Sequence, residues 1–533
     1  MSETNDQIYL KPNFIAEPLY DRWYAWTHLI SPVTAALNIK ERHLKIMDSF
    51  IKNAKVHEIA VATPAMRGGP FIDYPKERTG DILELKEKTL AAQSQSLALA
   101  DAIIELNTLL IQKGKGFSLE SLYAEVPELL KGYVELVYDI NNRASFRFFE
   151  KLLYHSVFFN KSSQSMAFQL VNSDDSRSFV LSTPRLDDAH ILHLNIAFDD
   201  TVLDHLYKME NEPNSYNEIK QLLKINEDQE PLFKDFFTSE APKKYERYTG
   251  EGIRTRYFGH ACILIESKDV TVLVDPVISY EYDTDLPRYT YTDLPDTIDF
   301  VLITHNHQDH VIYETLLRLR HKIKNIIVPS SSMGDLQDPS LKFNLESVGF
   351  KSVFQLNDMD SIVIEGCKIQ ALPFLGEHGD LDVRSKLCYH VTLKDSLKIL
   401  FVADSCNIEP KIYEHVEAIV GSADVLFLGM ECDGAPMSWL YGPLLPERLE
   451  KEKDQSRRLA GSNCERGMDL VKRFKPKDVF VYAMGMEPWL EYISSIKYTD
   501  ESKPIIESSK LIEECKNLNI NAERLYGEKT LHY

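Results

Sequence analysis

The chain has 533 residues, 44% hydrophobic and 26% charged, and its 60 Lys and Arg against 81 Asp and Glu leave a net charge of -21. One ordinary domain holds roughly 100–200 residues, so two or three units are expected. Phosphate recognition needs clustered Lys and Arg, which argues against a general nucleic-acid surface, and no uninterrupted apolar run reaches the ~18 residues of a membrane span.

The opening Met-Ser-Glu-Thr-Asn-Asp is polar and acidic, without the basic start and apolar core of a secretory signal, and this predicts a cytoplasmic protein with no membrane partner. Trp23, Tyr24 and Trp26 form an aromatic cluster that would line a partner surface or, more commonly, be buried. Apolar spacing predicts two long amphipathic helices, over 32–58 and 80–113. Short strands follow at 165–170, 179–182 and 191–196, then helices at 201–209 and 216–223. The stretch from Phe236 to Arg247 mixes proline with exposed charges and reads as a linker, which puts a domain boundary near residue 245.

Beyond it, strands recur at 253–257, 262–266, 271–274, 300–303, 326–328, 361–364, 368–371, 388–393, 398–402, 425–428 and 479–482. Helical patterns lie between several of them, at 312–319, 410–418 and 466–474. The chain is therefore of α+β class, with a mixed α/β domain over 1–245 and a strand-rich domain covered by helices over 246–533. Basic groups such as Arg318, Arg320, Lys322 and Lys324, or Lys472, Arg473, Lys475 and Lys477, read as solvated sides of elements. All seven cysteines lie beyond residue 261 with no Cys-x-x-Cys pair, so they read as reduced core residues.

The most informative segment is the apolar run Val301, Leu302, Ile303 followed by His305, His307, Asp309 and His310. Three imidazoles and a carboxylate in His-x-His-x-Asp-His order point to a metal site. Alternate side chains of an extended segment share a face, so His305 and His307 can converge on one ion while the following turn carries Asp309 and His310 to a second.

Four features resemble the metallo-β-lactamase superfamily, in its order: Gly259-His260-Ala261 with Asp275-Pro276, the motif at 304–310, Glu377-His378-Gly379-Asp380, and Val402-Ala403-Asp404-Ser405. The resemblance implies an αββα sandwich of two sheets with helices outside and gives Asp404 as the bridging aspartate. The superfamily's hydrolases commonly place a last histidine where this chain has Ala483-Met484-Gly485-Met486-Glu487-Pro488. Glu377 and His378 are adjacent donors, and neighbours on an extended backbone point to opposite sides, so one of them reaches the metal. His378 would favour zinc and hydrolysis; Glu377 would make an oxygen-rich set that suits iron.

Over its full length the chain also resembles the di-iron β-hydroxylases of nonribosomal peptide pathways, which pair an N-terminal α+β domain of about 240 residues with a metallo-β-lactamase-like domain. That resemblance implies two iron ions, held by His305, His307 and Glu377 on one side and by Asp309 and His310 on the other, with Asp404 supporting the pair. It implies a substrate-responsive acid near the irons, for which Glu431 stands in the matching context. It further implies O2 as co-substrate, an amino acid held as a thioester on a phosphopantetheine-bearing peptidyl carrier domain, and dimerisation and carrier docking through the N-terminal domain. No Gly-x-Gly-x-x-Gly fingerprint is present, so electrons would come from an external redox partner. The alternative on the shared motif is a dinuclear zinc or manganese hydrolase of a lactone, thioester or phosphodiester.

Overall fold

The computed structural model describes residues 7–174, 177–364, 366–394 and 396–533; the polar opening segment through Asp6 lies outside them. Two seven-stranded sheets dominate the C-terminal part. The first runs, edge to edge, Val353–Leu356, Ile323–Pro329, Ile298–Leu302, Thr271–Val274, Ile263–Glu266, Arg254–Tyr257 and Lys529–His532. The second runs Ser361–Ile364, Cys367–Leu372, Cys388–Leu393, Leu397–Phe401, Val425–Gly429, Asp478–Tyr482 and Asn521–Arg524.

The strands read as nearly continuous apolar runs because both faces of each sheet are covered. Side chains alternate between faces. Ile263, Val272, Leu302 and Ile327 meet Ile369, Val391, Phe401, Phe427 and Phe480 between the sheets. The intervening Leu400, Leu426, Leu428, Val479 and Val481 face outward under the helices Pro410–Val420, Cys464–Phe474 and Lys503–Asn517. On the first sheet the outward residues Leu264, Leu273, Val301, Ile326 and Val328 share one core with the N-terminal part. The αββα sandwich is thus capped on one side by a whole additional unit.

That unit holds a four-stranded sheet ordered Trp23–Tyr24, Phe14–Tyr20, Gln164–Leu170, Leu192–Leu194, and a set of helices. Trp23, Tyr24 and Trp26 are buried, Trp23 flat against the His43 ring and Trp26 flat against His28. The helix expected over 32–58 is Pro32–Asn38, a π-helical turn Ile39–His43 and Leu44–Val61. The one expected over 80–113 is divided into Thr79–Ala92 and Ser94–Lys113 at Gln93, a buried amide that donates to Ser163 Oγ at 2.7 Å and accepts from Ser96 Oγ at 3.1 Å. Ser94–Lys113 is long and apolar enough to cross a membrane, yet it buries Leu99, Ala100, Ile103, Leu106 and Leu110 in the core. Residues 179–182 form turns and not the expected strand, and the expected linker starts later, since Phe236 and Phe237 are buried and Phe237–Thr238 pairs with Gln7–Leu10.

The seam between the two parts is charged. Glu17, fully buried, accepts from Arg185 Nε at 2.7 Å and from Arg177 at 3.2 Å, and Arg177 continues to Glu314 at 2.7 Å on the helix Tyr313–Leu319 that follows the histidine motif. Arg318 and Arg320, expected to be solvated, are buried here, Arg318 against Glu210 and Arg320 against Asp204, because the N-terminal unit covers the helix face that sequence alone leaves open. Removing one partner from such a buried pair strands the other charge, a cost of about 3–5 kcal/mol.

Glu150 is another stitch: both carboxyl oxygens accept from the Ser340 N–H, at 3.0 and 3.1 Å. Burial pushes its acid up to about 8; the Ser340 N–H opposes this and Asp338 adds to it. The folded state therefore keeps a proton that the unfolded chain releases near 4.5, and stability from this group is lost as pH rises from about 4.5 through about 8. Glu150→Gln should remove that loss. Denaturant midpoints at pH 5 and 8.5 should show the variant gaining on the wild type by on the order of 2 kcal/mol at the higher pH.

Candidate metal centre

The strands Arg254–Tyr257, Thr271–Val274 and Ile298–Leu302 of the first sheet run in one direction, as do Cys367–Leu372, Leu397–Phe401, Val425–Gly429 and Asp478–Tyr482 of the second. Their carboxyl ends meet at one edge of the sandwich, the usual place for ligands in open α/β sheets. The chain leaves several of these strands through left-handed residues that are not glycine: His260 at φ 49°, Asp275 at 39°, Glu377 at 66°, Ala403 at 47° and Ala483 at 52°. Backbone strain of this kind costs of order 1–3 kcal/mol per residue and gathers at functional sites.

Three overlapping groups of ligand atoms lie there, each with its atoms within 4.8 Å of one another: His305, His307 and Glu377; His260, Asp309 and His310; and His305, His310 and Asp404. His307 Nδ1 is 2.7 Å from Glu377 Oε1, and His305 Nε2 is 3.5 Å from Glu377 Oε2 and 3.8 Å from Asp404 Oδ2. His310 Nε2 lies 3.0 Å from the same Asp404 oxygen, and His260 Nε2 lies 3.3 Å from Asp309 Oδ2. Asp404 stands between the two halves. Gly429 makes room for it, since a Cβ there would fall 2.3 Å from Asp404 Oδ1.

The imidazoles are aimed by the next layer of side chains. Asp275 accepts from the Thr304 N–H at 2.7 Å and the Thr304 hydroxyl at 2.6 Å and lies 2.9 Å from His310 Nδ1, leaving Nε2 for the cluster. Such an outer partner fixes the His310 tautomer and raises its basicity as a ligand. The Tyr441 hydroxyl lies 3.4 Å from His307 Nε2. His260 Nδ1 instead accepts from the Gly485 N–H at 3.1 Å, which puts its proton on Nε2, facing Asp309.

The residues fit a pair of cations. Three buried ligand atoms, His305 Nε2, Glu377 Oε2 and Asp404 Oδ1, have no hydrogen-bond partner among the described residues, an expensive arrangement unless an ion satisfies them. Burial pushes the Glu377 acid up to about 7 against the pull of His307, with Asp404 and Asp309 adding to the rise. Burial also raises Asp309, but the His310, His260 and His307 imidazoles outweigh it and hold it below the usual carboxylate range. Glu431 is raised well above that range by burial, and the neighbouring charges of Asp404, Asp309 and Glu377 add to the rise.

Of the expected ligands, His305, His307, Asp309, His310, Glu377 and Asp404 all come together, with Glu431 beside them. The choice at 377 and 378 falls out of the backbone. The segment is not extended; Gly376 at φ 77° and Glu377 at φ 66° are consecutive left-handed residues, and the turn carries Glu377 into the group with His305 and His307. His378 lies alongside, its ring 4.4 Å from that of His307, and belongs to none of the three groups. His260 is the residue that sequence reasoning left out of the cluster: it lies beside Asp309, and its only signal was its place in the Gly-His-Ala motif.

Sandwich and cluster together define a dinuclear metal enzyme of the metallo-β-lactamase type. Residues 9–242 match the family model of the di-iron non-haem β-hydroxylase N-terminal domain, and residues 270–439 match the β-lactamase superfamily domain. The chain is 36% identical over 532 residues, 98% of its length and 99% of the relative's, to the 4-amino-L-phenylalanyl-[CmlP-peptidyl-carrier-protein] 3-hydroxylase of Streptomyces venezuelae. It superposes with a TM-score of 0.93 on the crystal structure of CmlA, a di-iron β-hydroxylase from Streptomyces venezuelae, at 34% identity and 99% coverage of both chains, and with 0.90 on a variant of CmlA at 99% and 100% coverage. The chain belongs to the di-iron non-haem β-hydroxylases, a family whose cofactor is two iron ions.

Proposed function

We propose that this enzyme hydroxylates the β-carbon of an amino acid held as a thioester on the phosphopantetheine arm of a peptidyl carrier domain. The observation that carries the reading is the Glu377 carboxylate at 2.7 Å from His307 Nδ1, grouped with His305, which makes the candidate ligand set three imidazoles and three carboxylates, with His260 beside Asp309. Such an oxygen-rich set suits iron. When bound, two irons supply reductive activation of O2, one oxygen entering the C–H bond and the other leaving as water, with two electrons and two protons from an external redox partner.

The protein's own part is positional. His305, His307 and Glu377 would hold one ion and Asp309 and His310 the other, with Asp404 supporting the pair, while Asp275 and Tyr441 keep His310 and His307 in register. Glu431, beside three carboxylates, acts as the substrate-responsive gate. In the Glu431→Gln variant the reaction of the reduced protein with O2 should no longer depend on docked substrate; stopped-flow traces still gated at wild-type rates would reject that role.

Residues 1–245 form the unit for dimerisation and carrier docking, a division supported by the family model over 9–242 and by the lack of regular elements from 239 to 253. Light scattering tests the dimer. The seven free, buried thiols suit the reducing cytoplasm. Mass spectrometry of carrier-bound amino acids after incubation with reduced enzyme and O2 tests the reaction: one added oxygen is expected, whereas two zincs with esterase turnover would favour a hydrolase.

A further inference from the structure

A cavity of about 940 Å3 opens along the seam between the N-terminal unit and the sandwich, within the roughly 300–1,000 Å3 of small-molecule sites. One wall is the segment at 148–152; the other comes from the strand ends at 330–333 and 355–358 and from residues 383–387. Its inner wall is also the layer that backs the metal centre. Phe374 lies with its ring 5.1 Å from that of His305, Lys386 Nζ donates to Gly376 O at 3.2 Å, and the Leu387 N–H donates to Thr304 O at 2.7 Å. The Leu387 contact and the backbone bridge between His305 and Lys386 tie this wall to the histidine motif, so the cavity ends one side chain from the candidate ligands.

Its chemistry is mixed in a particular way. Phe148, Leu152, Phe343 and Phe374 give an apolar bed, Ser330 and Asn357 offer hydrogen bonds along it, and Lys151, Arg384 and Lys386 supply cations in a protein of net charge -21, with Asp358 in the wall and Asp382 3.4 Å from Arg384. Glu150 adds a carboxyl that burial keeps largely protonated at neutral pH, able to donate to an amide carbonyl. A long, flexible, amide-bearing chain with a terminal anion matches this succession.

We propose that the cavity receives the 4′-phosphopantetheine arm of the carrier domain, its thioester end against Phe374 and its phosphate and the acidic carrier at the Lys151 and Arg384 rim. This rests on the carrier-bound substrate proposed above and adds where that substrate is held. Opposite charges at such a rim steer encounter and fix register.

The test uses the iron-loaded full-length protein and 4′-phosphopantetheine itself as probe. Ser330→Trp, which narrows the cavity, should weaken calorimetric binding of the probe and raise KM for carrier-bound substrate, each by at least about tenfold (about 1.4 kcal/mol), with iron content unchanged. Arg384→Glu, whose side chain is 67% exposed, should raise KM with little change in kcat. Unchanged binding and KM in an iron-replete Ser330→Trp protein overturn the proposal; if that variant does not fold, unchanged KM in both Arg384→Glu and Lys151→Glu overturns it. A wild-type protein that binds two irons and the probe but oxygenates no carrier-bound amino acid rejects the proposed function and leaves the cavity assignment standing.

Discussion

Asp404→Asn should bring iron below two per chain and lower hydroxylation by about a thousandfold or more. Asp404 Oδ2 is shared between His310 Nε2 at 3.0 Å and His305 Nε2 at 3.8 Å, the only carboxylate placed to reach both groups of ligand atoms among the described residues. An amide keeps the shape but removes the charge that offsets two buried cations. Changes to the outer partners of metal ligands already cost about 10–100-fold, so a change at the shared ligand should exceed that range. Iron analysis alongside single-turnover product yield checks it, with circular dichroism to show that the fold is kept; two irons and near-normal yield would remove Asp404 from the centre.

Adjacent substitutions at 377 and 378 should behave very differently. Glu377→Ala removes one of three donors grouped around one ion and should abolish iron binding at that position, with activity falling below detection. His378→Ala leaves every grouped ligand atom in place. It should keep two irons and a substantial fraction of activity, with a packing loss of roughly 2–4 kcal/mol in stability because the ring is buried against His307 and Phe374. The reverse pattern, iron lost with His378 and kept without Glu377, would return the site to the nitrogen-rich hydrolase type. Measuring metal content on both variants under identical iron loading decides between them.

Much of the sandwich was legible because its strands are short, apolar and evenly punctuated; Ile263–Glu266, Cys388–Leu393 and Val425–Gly429 lie within a residue of their expected limits. Phe14–Tyr20 was not, since Glu17 and Pro18 interrupt the apolar pattern, and Glu17 is tolerated there only because Arg185 and Arg177 reach it from 168 and 160 residues away. The last two strands, Asn521–Arg524 and Lys529–His532, are polar edge strands whose signal is too weak to read from spacing.

The sequence alone determined that a dinuclear centre exists and where its nucleus lies, because three imidazoles and a carboxylate crowded at the end of an apolar strand are costly to bury together without cations, and these donors are close along the chain. Tertiary structure decided which further side chains lie beside it. Two successive left-handed residues carry Glu377, and not His378, into the group with His305 and His307, His260 is brought beside Asp309 from the first sheet, and Arg318 is buried beneath the N-terminal unit. Each of these depends on backbone direction or on a neighbour distant in the chain, and local spacing carries neither.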